Sequence, residues 1–375
     1  MASIKNLDSE NRIVIKIGSS LIVDKKGYIR EKWLASLIED ICSLRKKQKD
    51  IIIVTSGAIA IGTNILNIPK NERIKLDIAQ GTAAVGQIEL MAAFKNIFAK
   101  RNINVAQLLL TIEDTEQRRR YLNARNTISM LINNNVIPII NENDTVATTE
   151  IRYGDNDRLA ARVCTMSSAD CLIILSDVDG IYTLPPDMKD AVHIPEINKI
   201  TNDIKNMAKN TSGKYGSGGM VTKIEAARIA MDGGAHMVIA NGQGLNPIQS
   251  IVEGKRASWF IAKVSPQLAR KRWISGMLKP SGKVFIDSGA SSALKKGRSL
   301  LPAGVVSIKG KFQRGDAVII IDDNDNEIAR GLIAYSYSDA QKIKNKNTDE
   351  IENILGYRGR AALVHRDDLV ITNKE

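Results

Sequence analysis

Residues 13–20 read IVIKIGSS, and this stretch gives the clearest sign of the fold class. Its first five positions form an apolar run that only Lys16 interrupts, and Gly18 follows directly. Similar runs recur along the chain at residues 51–54, 105–110, 136–140, 172–175 and 237–240. Short runs that are apolar almost throughout are typical of strands buried on both faces, which indicates a mainly parallel sheet.

Helical patterns lie between these runs. Apolar residues recur at helical spacing over residues 118–132, 157–166 and 220–232, and Gly233-Gly234 ends the last of these helices. Strands that alternate with helices predict an α/β protein. We therefore expect a three-layer sandwich, in which a mainly parallel sheet lies between layers of helices.

The pattern changes after about residue 262. A basic stretch follows, and from Lys283 onward the sequence predicts short strands separated by turns. Residues 322–327, DDNDNE, lie between two apolar stretches and predict a hairpin turn. We expect a first domain over residues 1–262, a connector over 263–278 and a small, mostly β domain over 279–375.

Composition narrows the class of protein. The 375 residues are 43% hydrophobic, which allows a globular core, and the N-terminus MASIKNLDSENR is polar. Apolar runs fall short of the ~18–20 residues that a membrane span needs, so we expect a cytoplasmic protein. Three cysteines and three scattered histidines show no metal-ligand spacing, and we predict no protein metal site. The net charge of +12 suits nucleic acid or an anionic small molecule equally well.

Polar residues follow the predicted strands, at the sheet edge where ligands bind in open α/β folds. Lys16 within an apolar strand is costly unless it meets an anion. It could instead be an edge-strand lysine that reaches water. We favour a phosphate contact, because the glycine turn that follows lets backbone approach a ligand. Ser56-Gly57-Ala58 similarly joins a strand to a helix whose exposed N–H groups suit a carboxylate or phosphate.

A third polar group spans two loops within 17 residues. Capping and turn formation explain one or two of its members, and Asp157 could cap its helix. Asparagine and aspartate together could also bind the ammonium group of an amino acid. The members are Asn141, Glu142, Asn143, Asp144, Asp155, Asn156 and Asp157.

The fourth group is residues 212–223, SGKYGSGGMVTK, in which four glycines precede the helix that carries Lys223. Backbone amides and the helix dipole would bind phosphates there, and Lys223 would reach a transferring γ-phosphoryl group. The chain lacks the GxxxxGK[ST] motif of P-loop proteins, the HRD and DFG motifs of protein kinases, and a GxGxxG fingerprint after the first strand.

Two lysines, a glycine-rich phosphate site and no candidate histidine base indicate a particular chemistry. A carboxylate nucleophile is already ionised at pH 7, so no base is needed to activate it. The task of the enzyme is then to offset negative charge as carboxylate and phosphate meet. Lysine suits this task, and an aspartate near both lysines could hold them in place.

The chain resembles the glutamate 5-kinases, enzymes of the amino-acid-kinase fold that open proline biosynthesis. The resemblance runs nearly end to end, and the order and number of the shared motifs make it specific. The motifs are VIKIGSS, IVTSGAIAIG, AAVGQ, YLNARNT, PIINENDTVAT, YGDNDRLAA, ILSDVDGIYT, GSGGMVTK, RKRW, FQRGD, ILGY and VHRDDLV.

This resemblance implies ATP-dependent phosphorylation of the γ-carboxylate of L-glutamate to γ-glutamyl phosphate. It implies that Lys16 and Lys223 stabilise the phosphoryl group and that Asp157 organises them. The implied glutamate-binding residues are Ser56, Gly57, Asp144 and Asn156. The implied ATP-binding residues are Lys16, Ser176, Asp177, Ser217, Gly218, Gly219, Met220, Val221, Thr222 and Lys223. Mg²⁺ would be required and would lie mostly on phosphate oxygens and water.

The resemblance further implies that residues 1–262 are the catalytic domain. The C-terminal domain would be a PUA-like β-barrel, a module better known from RNA-modifying proteins, which implies RNA binding at the level of the domain. The expected partners are a second copy of the chain, in a dimer or tetramer, and glutamate-5-semialdehyde dehydrogenase.

Two alternatives remain. A kinase of aspartate, N-acetylglutamate or carbamate would share the glycines and lysines, but the NEND and GDND sequences and the added β domain argue against it. An RNA-binding protein built on an inactive kinase is the other alternative. Intact Lys16, Asp157 and Lys223 argue against that loss of activity.

Overall fold

The computed structural model describes residues 7–69, 75–146, 155–210, 219–276 and 279–372. The chain forms two compact units, Met1–Pro266 and Gln267–Glu375. The domain boundaries at residues 262 and 278 stay predictions.

Within the described ranges, eight strands of the first unit form one sheet in the order β3-β4-β2-β1-β5-β9-β10-β8. All neighbours run parallel except β9 and β10, which are antiparallel. The strands are β1 (Arg12–Ile17), β2 (Asp50–Val54), β3 (Val105–Leu110), β4 (Ile137–Glu142), β5 (Cys171–Ser176), β8 (Glu196–Ile197), β9 (His236–Asn241) and β10 (Ala257–Phe260). A separate pair is formed by β6 (Ile181–Tyr182) and β7 (His193–Ile194). Every apolar run noted in the sequence is a strand of the large sheet.

Helices cover both faces of this sheet. They are α1 (Ser19–Ile22), α2 (Glu31–Lys46), α3 (Ala58–Ile65), α4 (Leu76–Ala99), α5 (Ile112–Glu116), α6 (Arg118–Asn133), α7 (Asp155–Ser167), α8 (Asn202–Asn210), α9 (Gly219–Asp232) and α10 (Pro247–Val252). The three helices predicted from periodicity correspond to α6, α7 and α9. The predicted α/β three-layer sandwich is confirmed.

The side chains of β1 alternate between two hydrophobic cores, one on each face of the large sheet. Ile13, Ile15 and Ile17 pack in a core with residues of α2, α3 and α4, whereas Val14 packs in the opposite core with residues of α6, α7 and α9. Successive side chains of a strand point to opposite faces. Lys16, two positions after Val14, therefore lies on the face covered by α7 and α9.

Helices α3 and α4 approach so closely that glycine is required where they meet. A Cβ atom on Gly62 would overlap the backbone oxygen of Thr82, and one on Gly86 would overlap the backbone oxygen of Ala58. A Cβ atom on Gly81, on the same helix as Gly86, would meet no atom within 4 Å among the described residues beyond its chain neighbours and the adjacent backbone of its own helix. The contact at Gly86 fixes α4 against the helix that follows the Ser56-Gly57 turn.

The second unit contains a sheet in the order β12-β11-β13-β14-β15. Its strands are β11 (Gly282–Ile286), β12 (Val305–Gly310), β13 (Ala317–Ile321), β14 (Glu327–Ile333) and β15 (Val364–Ile371). β13 and β14 form the hairpin predicted at DDNDNE, with Asp325 in the left-handed region at φ 65°. Leu300, which precedes β12, makes an isolated bridge to Val364 of β15. Because β12 and β15 are the two edge strands, this bridge brings the two edges of the sheet together.

Short helices accompany this sheet, namely α12 (Ser288–Lys295), α13 (Tyr337–Ile343) and α14 (Ile351–Leu355). Residues Pro266–Gly276 form α11, where the sequence indicated only a connector. Proline is well tolerated in the first turn of a helix, so Pro266 was a usable start signal. None of the helices in the described ranges is both long enough and apolar enough to cross a membrane.

We predict opposite stability effects for two glycine-to-alanine changes on α4. Gly86→Ala should lower the free energy of unfolding by about 1–3 kcal/mol, because the new methyl group meets fixed backbone. Gly81→Ala should raise it by about 0.5–1 kcal/mol, because alanine loses less backbone entropy in a helix. Thermal unfolding followed by circular dichroism measures both. Shifts of the same sign and size would contradict the close approach of α3 and α4.

Candidate active site

Lys16 is a buried cation at the centre of the large sheet. Its strand, β1, is paired on one side with β2 and on the other with β5, so the edge-strand alternative is wrong. Only 7% of the residue is exposed. Its ammonium Nζ lies 2.6 Å from Oδ1 of Asp157, with which it forms an ion pair.

The Asp157 carboxylate is the common partner of two lysines. It is fully buried, and its second oxygen, Oδ2, lies 3.1 Å from Nζ of Lys223. Thr222 donates a hydrogen bond of 3.2 Å to the same oxygen. Lys223 Nζ also donates to the backbone oxygen of Gly219 at 3.2 Å. Asp157 lies in the first turn of α7, but its carboxylate forms ion pairs with Lys16 of β1 and Lys223 of α9. It is therefore more than a cap of its own helix.

Charge and burial act against each other in this cluster. Burial lowers the pKa of Lys16 below its ordinary value, and the nearby Lys223 lowers it further, whereas the charge of Asp157 opposes both. Burial also acts to raise the pKa of Asp157, but the two ammonium groups outweigh it and hold that pKa below its ordinary value. The carboxylate is therefore ionised, and both ammonium groups pair with it. Two ammonium groups at one place suit an anionic ligand.

A tight turn at the end of β2 presents Ser56 beside this cluster. Gly57 has φ 108°, and a Cβ atom there would lie 3.0 Å from a methyl group of Val23 and 3.1 Å from one of Ile22. Glycine is therefore required by both conformation and space. The Ser56 hydroxyl donates to the backbone oxygen of Ile17 at 3.0 Å. A hydroxyl group that donates can also accept a hydrogen bond.

Three side-chain amides form a chain of hydrogen bonds next to Ser56. Asn156 Nδ2 donates to the backbone oxygen of Thr55 at 3.0 Å and to Oδ1 of Asn141 at 3.1 Å. Asn141 Nδ2 donates to Oε1 of Gln87 at 2.8 Å. Two buried atoms of this chain, Asn156 Oδ1 and Gln87 Nε2, have no hydrogen-bond partner among the described residues.

Gln87 was missed by the sequence analysis as a candidate residue. It lies on α4 in a stripe of buried residues that includes Ala83, Leu90 and Phe94. A polar residue within this mostly apolar stripe was the available signal. The residue is only 8% exposed.

The remaining members of the third polar group differ in burial and in their contacts. Asp144 is buried in the turn Asp144–Val146, directly after β4. Asn143 accepts a hydrogen bond from the hydroxyl of Thr145 at 2.7 Å and so stabilises that turn. Glu142 is half-buried at the end of β4. The side chain of Asp155 lies outside the described part of the chain.

The predicted nucleotide-binding residues follow β5 and begin α9. Ser176 donates to the carboxylate of Asp177 at 3.0 Å, and its backbone oxygen accepts from Gly242 at 2.7 Å. The charge of Asp177 also acts on Lys16. Residues 219–223 form the first turn of α9, where Met220 and Val221 are half-buried. Ser217 and Gly218 lie outside the described residues.

The described ranges contain no group of three or more histidine, cysteine, aspartate or glutamate residues arranged to hold a metal ion. Asp157 itself forms ion pairs with two ammonium groups.

The chain matches the amino acid kinase family over residues 11–241 and the PUA domain over residues 282–355. It is 52% identical to the glutamate 5-kinase of Agrobacterium fabrum, over 98% of this chain and 95% of that protein. It is 50% identical to the glutamate 5-kinase of Bradyrhizobium diazoefficiens, over 97% of this chain and 98% of that protein. A solved UMP kinase from Ureaplasma parvum is 19% identical and covers 67% of this chain and 99% of its own, with a TM-score of 0.47.

Identity at this level over nearly the whole length shows that the protein is a kinase. The chain belongs to the amino acid kinase family and, within it, to the glutamate 5-kinases.

Proposed function

We propose that this protein transfers the γ-phosphoryl group of ATP to the γ-carboxylate of L-glutamate and forms γ-glutamyl phosphate, the first step of proline biosynthesis. The observation that carries the proposal is the buried cluster in which Lys16 and Lys223 share Asp157. Two ammonium groups at one place stabilise an anionic acceptor next to the anionic phosphate of ATP better than they stabilise a neutral acceptor there.

The proposed chemistry needs no general base. A γ-carboxylate oxygen forms a bond to the γ-phosphorus while the bond to the bridging oxygen of ADP breaks, and ADP leaves with that electron pair. No proton has to be removed, because a carboxylate is ionised at pH 7. Lys16 and Lys223 offset the negative charge of the approaching groups. Asp157 sets the distance between the two ammonium groups.

Recognition of glutamate is proposed for Ser56, Gly57, Asp144 and Asn156. Ser56 presents acceptor lone pairs, since its proton is given to Ile17. Asn156 presents a buried carbonyl oxygen. Acceptors of this kind suit the α-ammonium of an amino acid.

ATP binding is proposed for Lys16, Ser176, Asp177 and residues 217–223. Mg²⁺ would be held mostly by phosphate oxygens and water, which suits a site whose central carboxylate already has two cationic partners. The ion would reduce the charge on the phosphates when bound.

Further proposals concern the organisation of the protein. We assign residues 1–262 to the catalytic domain, 263–278 to a connector and 279–375 to the PUA-like domain. A homodimer or homotetramer, a functional association with glutamate-5-semialdehyde dehydrogenase and a cytoplasmic location complete the proposal.

Hydroxylamine trapping tests the reaction directly. Enzyme, ATP and Mg²⁺ are incubated with hydroxylamine and either glutamate, aspartate or no acceptor. We expect γ-glutamyl hydroxamate only with glutamate. Hydroxamate formed from aspartate instead, or ATP consumption that does not depend on glutamate, would overturn the proposed substrate.

Neutral replacements of the two lysines should lower turnover far more than they raise KM. We expect Lys16→Met and Lys223→Met to lower kcat by roughly a hundredfold or more, because charge stabilisation acts mainly in the transition state. Steady-state rates with glutamate and ATP varied separately measure the effect. Lys49→Met is the matched control, since Lys49 is also buried but its Nζ donates to the backbone oxygens of Asp8 and Glu10. A kcat near the wild-type value for either site variant would remove that lysine from the proposed role.

The alkaline limit of activity should depend on Asp157. Lys16 must carry a proton to act, and its pKa lies below the ordinary lysine value because of burial. The charge of Asp157 raises that pKa, so Asp157→Asn should move the alkaline fall of kcat to lower pH. Release of ADP measured across alkaline pH gives the profile, and circular dichroism at each pH separates loss of activity from unfolding. An unmoved or higher alkaline limit would contradict the coupling.

A further inference from the structure

The polarity of the amide chain from Asn156 to Gln87 is fixed by one backbone atom. A carbonyl oxygen can only accept a hydrogen bond, so the Asn156 atom that lies 3.0 Å from the oxygen of Thr55 must be the amide nitrogen. The same nitrogen contacts Asn141 at 3.1 Å, which must therefore present its oxygen. The nitrogen of Asn141 then faces Gln87 at 2.8 Å, and Gln87 must present its oxygen.

This polarity limits what Asn156 can offer a ligand. Both hydrogens of its Nδ2 are already donated, one to Thr55 and one to Asn141. The remaining polar atom is Oδ1, which is buried and unpartnered within the described ranges. An amide oxygen accepts hydrogen bonds but cannot donate them. Of the groups that ionised glutamate carries, only the α-ammonium can donate.

Gln87 determines whether Asn141 keeps the required orientation. If the oxygen of Gln87 were absent, the buried nitrogen of Asn141 would lose the acceptor that it has at 2.8 Å. A buried donor without a partner costs as much free energy as the one hydrogen bond that then holds this amide contributes, so Asn141 would no longer be held in a single orientation. Asn156 would lose a fixed acceptor for one hydrogen of its Nδ2, and its Oδ1 would be held less firmly.

We propose that Gln87 is a positioning residue for substrate recognition: it acts through Asn141 to hold the Asn156 oxygen where it accepts a hydrogen bond from the α-ammonium of glutamate. This inference rests on the proposed function. It assigns a role in selectivity to a residue of α4 that touches neither lysine of the cluster in the described structure.

Glutarate, which is glutamate without the ammonium group, tests the proposal. The two measured quantities are KM for glutamate and Ki for glutarate as a competitor, both in the hydroxamate assay. Neither quantity depends on the fraction of enzyme that is folded. We expect Gln87→Met to raise the KM for glutamate by roughly threefold to tenfold, the effect of a hydrogen bond of ordinary strength. The Ki for glutarate and the KM for ATP should stay within about twofold, because neither ligand offers the ammonium that the amide oxygen accepts.

Gln87→Glu is the matched variant. A carboxyl group keeps an oxygen that can accept from Asn141 whether or not it is ionised, so the selectivity for glutamate over glutarate should be retained. A KM raised as strongly by Gln87→Glu as by Gln87→Met would overturn the proposal, because the lost group would then be the Nε2 donor. An unchanged KM in Gln87→Met would also overturn it, as would equal rises in KM for glutamate and Ki for glutarate.

The outcomes also separate this inference from the proposed function. A wild-type enzyme that forms no hydroxamate from glutamate would overturn both. An active wild-type enzyme whose Gln87→Met variant keeps its selectivity would overturn the positioning role alone.

Discussion

One buried carboxylate shared by two buried ammonium groups sets the main constraint on this structure. Charged groups are costly to bury, and the cost is offset only when they are closely paired. Asp157 supplies that pairing, with Lys16 at 2.6 Å and Lys223 at 3.1 Å. Removal of the carboxylate would leave two like charges together in the interior. The strand β1 and the helices α7 and α9 must therefore stay in register for the cluster to exist.

The same constraint connects the sheet to the chemistry. The alternation of side chains along β1 places Lys16 on the face where α7 and α9 pack. Helix α7 carries Asn156 and Asp157 as consecutive residues. Asn156 belongs to the amide chain beside Ser56, while Asp157 belongs to the lysine cluster. One turn of one helix thus joins the proposed glutamate site to the proposed site of phosphoryl transfer. This adjacency is what an acyl phosphate enzyme needs, because the acceptor must lie next to the γ-phosphoryl group.

Much of this arrangement was predictable from the sequence. Buried parallel strands have a nearly continuous apolar pattern, so β1, β2, β4, β5 and β9 were recognisable, and Lys16 was conspicuous because it interrupts one of them. Gly57 was similarly visible at the end of a strand. The sequence could not show that β1 lies at the centre of the sheet, since strand order depends on long-range pairing. Gln87 was visible only as a polar residue in a mostly apolar stripe, and its role depends on a contact with a residue 54 positions away.

The structure differs from the sequence predictions in two places, and both differences have a simple physical reason. The helix Pro266–Gly276 was predicted as a connector because its charged residues hide its periodicity, although Pro266 marks its start. The C-terminal domain contains three helices, α12, α13 and α14, where the sequence predicted mainly strands. They were not predicted because each is no longer than eight residues. Short helices give weak periodic signals, and packing in the domain decides them.

Transfer of an isotopically labelled oxygen tests the central claim most directly. Glutamate labelled with ¹⁸O in its γ-carboxylate is incubated with enzyme, ATP, Mg²⁺ and hydroxylamine, and the released phosphate is analysed by mass spectrometry. Hydroxylamine attacks the acyl carbon, so the bridging oxygen leaves with the phosphate. Phosphoryl transfer to the γ-carboxylate predicts one ¹⁸O atom in each phosphate that accompanies a hydroxamate. Phosphate without ¹⁸O would contradict it, because the phosphoryl group would then have been transferred to water or to another acceptor.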